Sequence, residues 1–212
     1  MKKIILGLLL LLGGLNAKYT ADISQITPEI KKRMLKGNSW REGCPVSLYN
    51  LRYLKVAYWD FNAKRRMGEL IVHKDVAQSL LKVFGSLYAI KYPIEKMRLV
   101  SDYKGNDWQS IEAGNTSAFN CRPVTGNKKK WSKHAYGKAI DINPIQNPYI
   151  SKSGRISHKA SLKYRHRKHN RQSAGDRAML LAHDKATLIF KQNAWIWGGD
   201  WRSIKDYQHF KK

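Results

Sequence analysis

Acidic residues are scarce in this chain. Its 212 residues include 15 Asp and Glu against 40 Lys and Arg, a formal net charge of +25. Such an imbalance draws a protein to polyanions: nucleic acid, an anionic membrane face or an acidic wall polymer. Cysteine is nearly missing, at two residues, which excludes a disulfide-dense miniature scaffold. Beyond the N-terminus there is no apolar run long enough to span a bilayer. No internal repeat is present, which excludes a solenoid. No strand–helix–strand rhythm is present either, which argues against a parallel sheet.

What is there begins with "MKKIILGLLLLLGGLNAKYT". Two lysines precede an apolar run from Ile4 to Leu15, and the small Ala17 follows. That is the layout of a secretory signal peptide cleaved after Ala17, with an uncleaved membrane anchor as the alternative. An exported protein meets an oxidising compartment, so Cys44 and Cys121 are expected to form a disulfide; two buried free thiols are the alternative. Export also turns the positive charge away from genomic DNA and towards the cell envelope.

Hydrophobic residues at 42% and aromatics at 11% are globular rather than disordered proportions, and the length suits one domain with a short appendage. Thr27, Pro28 and Gly37 punctuate a short helix in "ITPEIKKRMLKG". "NLRYLKVAYWDF" and "MGELIVH" read as paired strands across "NAKRR". "KDVAQSLLKVFGSLYAIKY" sets Val76, Leu80, Val83, Phe84 and Leu87 on one helical face, ending before Pro93. "MRLVSDY" reads as a strand, and residues 104–131 as a long loop of a functional kind. "GKAIDIN" is a short strand, one helix covers much of "GDRAMLLAHDKATLIFKQ", and "AWIWGGDW" and "DYQHF" close the chain as strands and turns. The expected fold is α+β, an antiparallel sheet flanked by helices. Residues 1–17 are the leader, 18–43 an N-terminal helical segment and 44–212 the main domain, with an exposed basic insertion at about 150–172.

The chemistry concentrates in two places. "SKHAYGKAIDINP" holds His134 and Asp141, and "DYQHF" holds Asp206 and His209. A hydrolytic zinc site takes three His or carboxylate ligands and leaves one position for water. His134, Asp141 and His209 supply that set. The first pair is too widely spaced for one helical face, but fits a loop running into a strand. Alternation there sends Ile140 and Ile142 to the core and Asp141 to the opposite face. Asp206, three residues before His209, can stand beside the ion as a general base without binding it. The plainer alternative is surface histidines and a solvated strand carboxylate. His158, His166, His169 and His183 sit among Lys and Arg, poor surroundings for a cation, and read as surface residues. Trp197 and Trp201 either line a substrate cleft or pack in the core.

"SKHAYGKAIDINP" resembles the Ser-x-His-(six residues)-Asp signature of the D-Ala-D-Ala carboxypeptidase and L-Ala-D-Glu peptidase family of zinc metallopeptidases. "WGGDWRSIKDYQHF" is similar to that family's C-terminal signature. "GCPV", "GELIVH", "YPIEKMRLV", "NTSAFNCR" and "NPYI" extend the likeness in order from about Gly43. The resemblance implies a hedgehog/DD-peptidase-like fold and zinc on His134, Asp141 and His209. It implies Asp206 as the base, where many members carry Glu, and Arg122 facing a substrate carbonyl or carboxylate. Ser132 is expected to support the site by hydrogen bonding. Ala194 departs from the pattern, standing where the family usually has Gly before Trp. Lys211 and the heavy charge of 152–171 depart too.

The resemblance thus implies an exported zinc peptidase of peptidoglycan stem peptides, with an acidic wall polymer as a further partner. A non-catalytic wall-binding module of the same fold is the first rival. A secreted nucleic-acid binder is the second, and it would need interleaved aromatics; the basic stretch offers Tyr164 alone, so no nucleic-acid partner is expected.

Overall fold

The computed structural model describes residues 18–168 and 172–212. The leader reading and His169 lie outside the described residues. The first strand, β1 (Ala21–Gln25), was not read from the sequence. It is followed by α1 (Pro28–Lys36), which starts where Thr27 Oγ1 accepts from Ile30 N and stops at Gly37. Next come β2 (Leu51–Trp59), β3 (Arg65–His73) and α2 (Lys74–Ala89). The three strands form one antiparallel sheet in the order β1-β2-β3.

Both faces of this sheet are covered, which explains why β2 lacks a solvent-facing side. Leu54, Val56, Tyr58, Leu70 and Val72 point to one face and meet Val76, Leu80, Val83, Phe84 and Leu87 of α2. The alternate residues Leu51, Tyr53 and Ile71 point the other way, against Met34 of α1, Val46 and Cys121. Period-2 alternation thus divides two apolar sets between two layers. The α1 layer is fastened by Arg33, whose guanidinium spans Glu69 of β3 and Asp102 at 2.7–2.8 Å. A disulfide between Cys44 and Cys121 adds a covalent tie, with 5.9 Å between the Cα atoms.

Several sequence expectations are corrected here. "MRLVSDY" is not a full strand. Only β4 (Lys96–Met97) is extended, and a 3-10 turn takes Val100–Tyr103. The Asn115 side chain accepts from Arg98 N and donates to Arg98 O, occupying the groups a neighbouring strand would need. The loop expected over 104–131 contains α3 (Asp107–Glu112), capped by Asn106, then β5 (Asn115–Thr116), β6 (Pro123–Val124) and β7 (Asn127–Trp131). β4 and β5 pair in parallel, while the other strand pairs are antiparallel.

The rest of the chain builds a second, smaller sheet. β8 (Ala139–Asp141), β10 (Ile196–Trp197) and β12 (His209–Lys211) pair in the order β10-β12-β8. β9 (Tyr149–Ile150) pairs with β11 (Lys205–Asp206) beside it. The single late helix is in fact two, α4 (Ala174–Arg177) and α5 (Lys185–Gln192). Between them Asn147 donates to Ala178 O and accepts from Leu180 N, so a side chain replaces the helical ladder.

The basic insertion is not simply exposed. Arg167 reaches inward to Gln146 O, Asn147 Oδ1 and Leu180 O at 2.6–2.8 Å, and its guanidinium lies 4.3 Å from the Tyr207 ring centre. Tyr164 packs with Ile145 and Met179. The stem of a basic side chain is apolar and its head can be satisfied by carbonyls, so charge density in sequence did not equal exposure.

Candidate metal centre

β12 sets the site and the core on opposite sides of one strand. Phe210 stacks on Phe190 of α5 at 3.8 Å between ring centres, inside the core. Its neighbour His209 therefore points the other way. Across the antiparallel pair His209 lies directly opposite Asp141, so both side chains share a face. Asp141 Oδ1 is 3.0 Å from His209 Nδ1. Ile140 is buried in the core, as alternation requires, yet Asp141 is also only 4% exposed. Ser117 bonds the free edge of β8 through Asp141 N and O, which closes the site from that side.

His134 arrives from a 3-10 turn, Lys133–Tyr136. Ser132 Oγ accepts from His134 N at 3.3 Å and starts the turn, so Ser132 acts here on the backbone of His134. Gly137 ends it at φ 67, and a Cβ there would stand 2.6 Å from His73 N, which donates to Gly137 O. Only glycine satisfies both the left-handed backbone and this approach. The His134 Nδ1 atom lies 2.6 Å from Ala118 O. A carbonyl only accepts, so the proton sits on Nδ1 and the Nε2 lone pair is free. Nε2 is 3.2 Å from both Asp141 Oδ2 and His209 Nδ1.

Three donor atoms thus converge within 4.8 Å of one another, all from buried residues. The donor set suits a divalent ion such as zinc: two imidazoles, one carboxylate, and a second-sphere carbonyl fixing a tautomer. The electrostatics agree. Burial alone would push the Asp141 carboxyl up, but His134 and His209 hold it well below the usual carboxylate range. Burial would likewise lower His134, and Asp141 outweighs it and raises the imidazole. The cluster therefore attracts positive charge, which a proton or a metal can supply.

Asp206 stands beside this group on β11. The residue as a whole is half-buried, but its Oδ1 is inaccessible and makes no hydrogen bond. Burial pushes its carboxyl up to about 6, with His209 opposing and Asp141 reinforcing. Gly198 backs it closely, since a Cβ at 198 would fall 2.5 Å from Asp206 O and 3.0 Å from its Cβ. The Gly198 role was not read from the sequence, where "WGG" offers no hint of what it approaches.

Arg122 follows the buried Cys121. That position is fixed three ways: Cys121 N to Ser39 O, Arg41 Nη1 to Cys121 O, and the bridge to Cys44. Arg122 Nε lies 3.0 Å from Asp107 Oδ1, close in distance though not aligned as a hydrogen bond. Asp107 had no signal in the sequence. Trp201 lies beside the centre, its ring 5.5 Å from that of His209, with Lys211 Nζ 5.1 Å from its ring centre. Trp197 packs in the core instead, 2% exposed, its Nε1 donating to Tyr207 O. His166 and His183 are exposed, whereas His158 is half-buried against Trp108 and within 2.5 Å of Glu112 Oε1.

A mixed α/β chain carries a buried His-Asp-His group that could hold a metal ion, with Asp206 close enough to feel its charges and one Asp206 oxygen, Oδ1, unpartnered. Residues 125–212 match a peptidase family whose model is described as D-alanyl-D-alanine carboxypeptidase. The matched stretch carries His134, Asp141, Asp206 and His209, while Arg122 and the α1 layer lie outside it. No curated protein matches the chain, and no solved structure does. The match, over less than half of the chain, supports a hydrolase.

Proposed function

We propose that this protein is an exported zinc metallopeptidase acting on the stem peptides of bacterial peptidoglycan. The scissile bond is of the D-Ala-D-Ala carboxypeptidase or L-Ala-D-Glu endopeptidase type, and the fold is hedgehog/DD-peptidase-like. In this reading the leader is removed after Ala17, residues 18–43 form an N-terminal segment and 44–212 the peptidase domain. The Cys44–Cys121 disulfide, and the absence among the described residues of a helix able to cross a membrane, are compatible with export.

One observation carries the proposal: three buried donors converge beside a carboxylate oxygen with no partner of its own. His134, Asp141 and His209 would hold zinc, which supplies Lewis acidity towards a carbonyl and makes water acidic near neutral pH. Asp206 accepts the proton released as water attacks the scissile carbonyl carbon. It returns that proton to the amine nitrogen as the C–N bond breaks. Arg122 orients a substrate carbonyl or carboxylate, a task for which a guanidinium fork is suited. Trp201 offers an aromatic wall to the bound peptide. A wall-binding module without activity would have no use for a free base beside the ligands.

The test incubates the mature protein with purified peptidoglycan, with and without chelator, and identifies fragments by mass. Cleavage that chelator abolishes and zinc restores is expected. Asp206→Asn should retain zinc and lose activity by about 100-fold or more. Persistent binding to the wall without any fragment released would refute the peptidase and favour the binding module.

A further inference from the structure

β6 and β7 form a two-stranded hairpin that grows directly out of the candidate centre. Arg122 immediately precedes it and Ser132 immediately follows it, and Ser132 N donates to Arg122 O at 3.1 Å across its base. Residues 125–130 are all exposed, and Trp131 alone of β7 packs against the α1 layer. A two-stranded hairpin is marginal in water by itself, and core packing does not account for the exposed residues 125–130. At its tip Gly126 takes φ 79 with open space around it.

The outer strand carries Lys128, Lys129 and Lys130 in succession. Among the described residues, none of the three has an ion pair or hydrogen-bond partner for its side chain. Alternation places Lys128 and Lys130 on one face and Lys129 on the other. Three adjacent like charges on an unsupported strand repel one another and favour an anionic partner. Elsewhere some cations are engaged: the half-buried Lys138 with Asp75 and Lys191 with Asp200, and the exposed Arg66 with Asp60.

We propose that the 123–131 hairpin is a cationic docking arm that binds free carboxylates along peptidoglycan stem peptides and holds the polymer beside the centre. The choice of stem carboxylates rests on the peptidase reading; the arm's attachment between Arg122 and Ser132 and its unpaired lysines do not. Because Arg122 and Ser132 close its base, a strand held by the arm lies near the site in one binding step. That adds local concentration without any new contact at the centre.

The test measures binding rather than cleavage, so it stays separate from the peptidase question. Full-length mature protein is sedimented with insoluble peptidoglycan stripped of phosphate polymers, in chelator, over a range of salt. Replacing Lys128, Lys129 and Lys130 together by Gln should weaken binding about tenfold, the order to which three exposed charge contacts compound. It should also flatten the salt dependence. The matched control replaces Lys31, Lys32 and Lys36, which are exposed on α1, and should change binding less than about twofold. Amidating the wall carboxylates should erase the difference between wild type and arm variant. Equal weakening by both triples would mean that net charge alone binds the wall and would overturn the arm. A difference that survives amidation, or that arises only on phosphate-bearing wall, would overturn the carboxylate assignment. Cleavage that fails while arm-dependent binding persists would count against the peptidase and leave the arm standing.

Discussion

His209 and Asp141 stand opposite each other in the β8/β12 pair, and the 3.0 Å between Nδ1 and Oδ1 is set by strand register. A slip of β12 by one residue would turn His209 into the core and bring Phe210 out, parting His209 from Asp141. The register is held by Phe210 stacked on Phe190, so the apolar side of β12 fixes the polar side.

The first prediction concerns that pair. Asp141→Asn keeps the shape of the side chain and removes its charge. Zinc affinity, measured by competition with a chromophoric chelator, should fall by about 100-fold or more. Unchanged affinity would mean that the ion, if any, sits elsewhere.

Gly198→Ala addresses the proposed base, Asp206, instead of the proposed ligands. A methyl group there meets the Asp206 carbonyl oxygen at 2.5 Å, so β11 must move. The expected result is retained zinc with turnover lowered roughly 10- to 100-fold, the sensitivity of catalysis to displacements near 1 Å. Loss of zinc together with turnover would show that the strain spreads to His209.

Acid should loosen the α1 layer. Hydrogen bonds from Arg33 hold Glu69 below its ordinary range; in Asp102 burial opposes, and Arg33 still brings the carboxyl down. Carboxylates with depressed folded values contribute stability above their unfolded values, near about 4, and lose it as pH falls through the folded ones. Thermal melts from pH 7 downward should therefore drop steeply below about pH 4. Arg33→Met should cost roughly 1–2 kcal/mol at neutral pH and flatten that drop. Parallel curves for the two proteins would place the acid sensitivity in other carboxylates.

Ala194 offers a stabilising change. It adopts φ 62, a left-handed backbone that costs an L side chain roughly 1 kcal/mol. Ala194→Gly should raise stability by at most about 0.5 kcal/mol in denaturant melts, the entropy of glycine offsetting half or more of the gain. A decrease would show that the Ala194 methyl makes a contact worth more than the strain.

Legibility in the sequence followed the range of the interaction. Thr27, Pro28 and Gly37 marked α1 because capping is local. The α2 face was readable because its period is written into one continuous segment. "MRLVSDY" failed because Asn115, eighteen positions after Met97, takes the backbone partners of Arg98. The late helix broke for the same kind of reason, at Asn147. Arg167 looked like surface charge because nothing nearby in sequence reveals the carbonyls of Gln146 and Leu180 that receive it.

By itself the sequence determined which side chains were available for metal chemistry, His134, Asp141, Asp206 and His209, and that alternation would separate Asp141 from Ile140 and Ile142. Only the tertiary structure decided that they meet, that Ala118 O fixes the His134 proton, that Asp206 Oδ1 is left without a partner, and that Trp197 belongs to the core while Trp201 flanks the centre. The division is physical. Residue type and period are properties of a segment, whereas distance, burial and the sharing of one proton exist only after segments far apart in the chain have packed together.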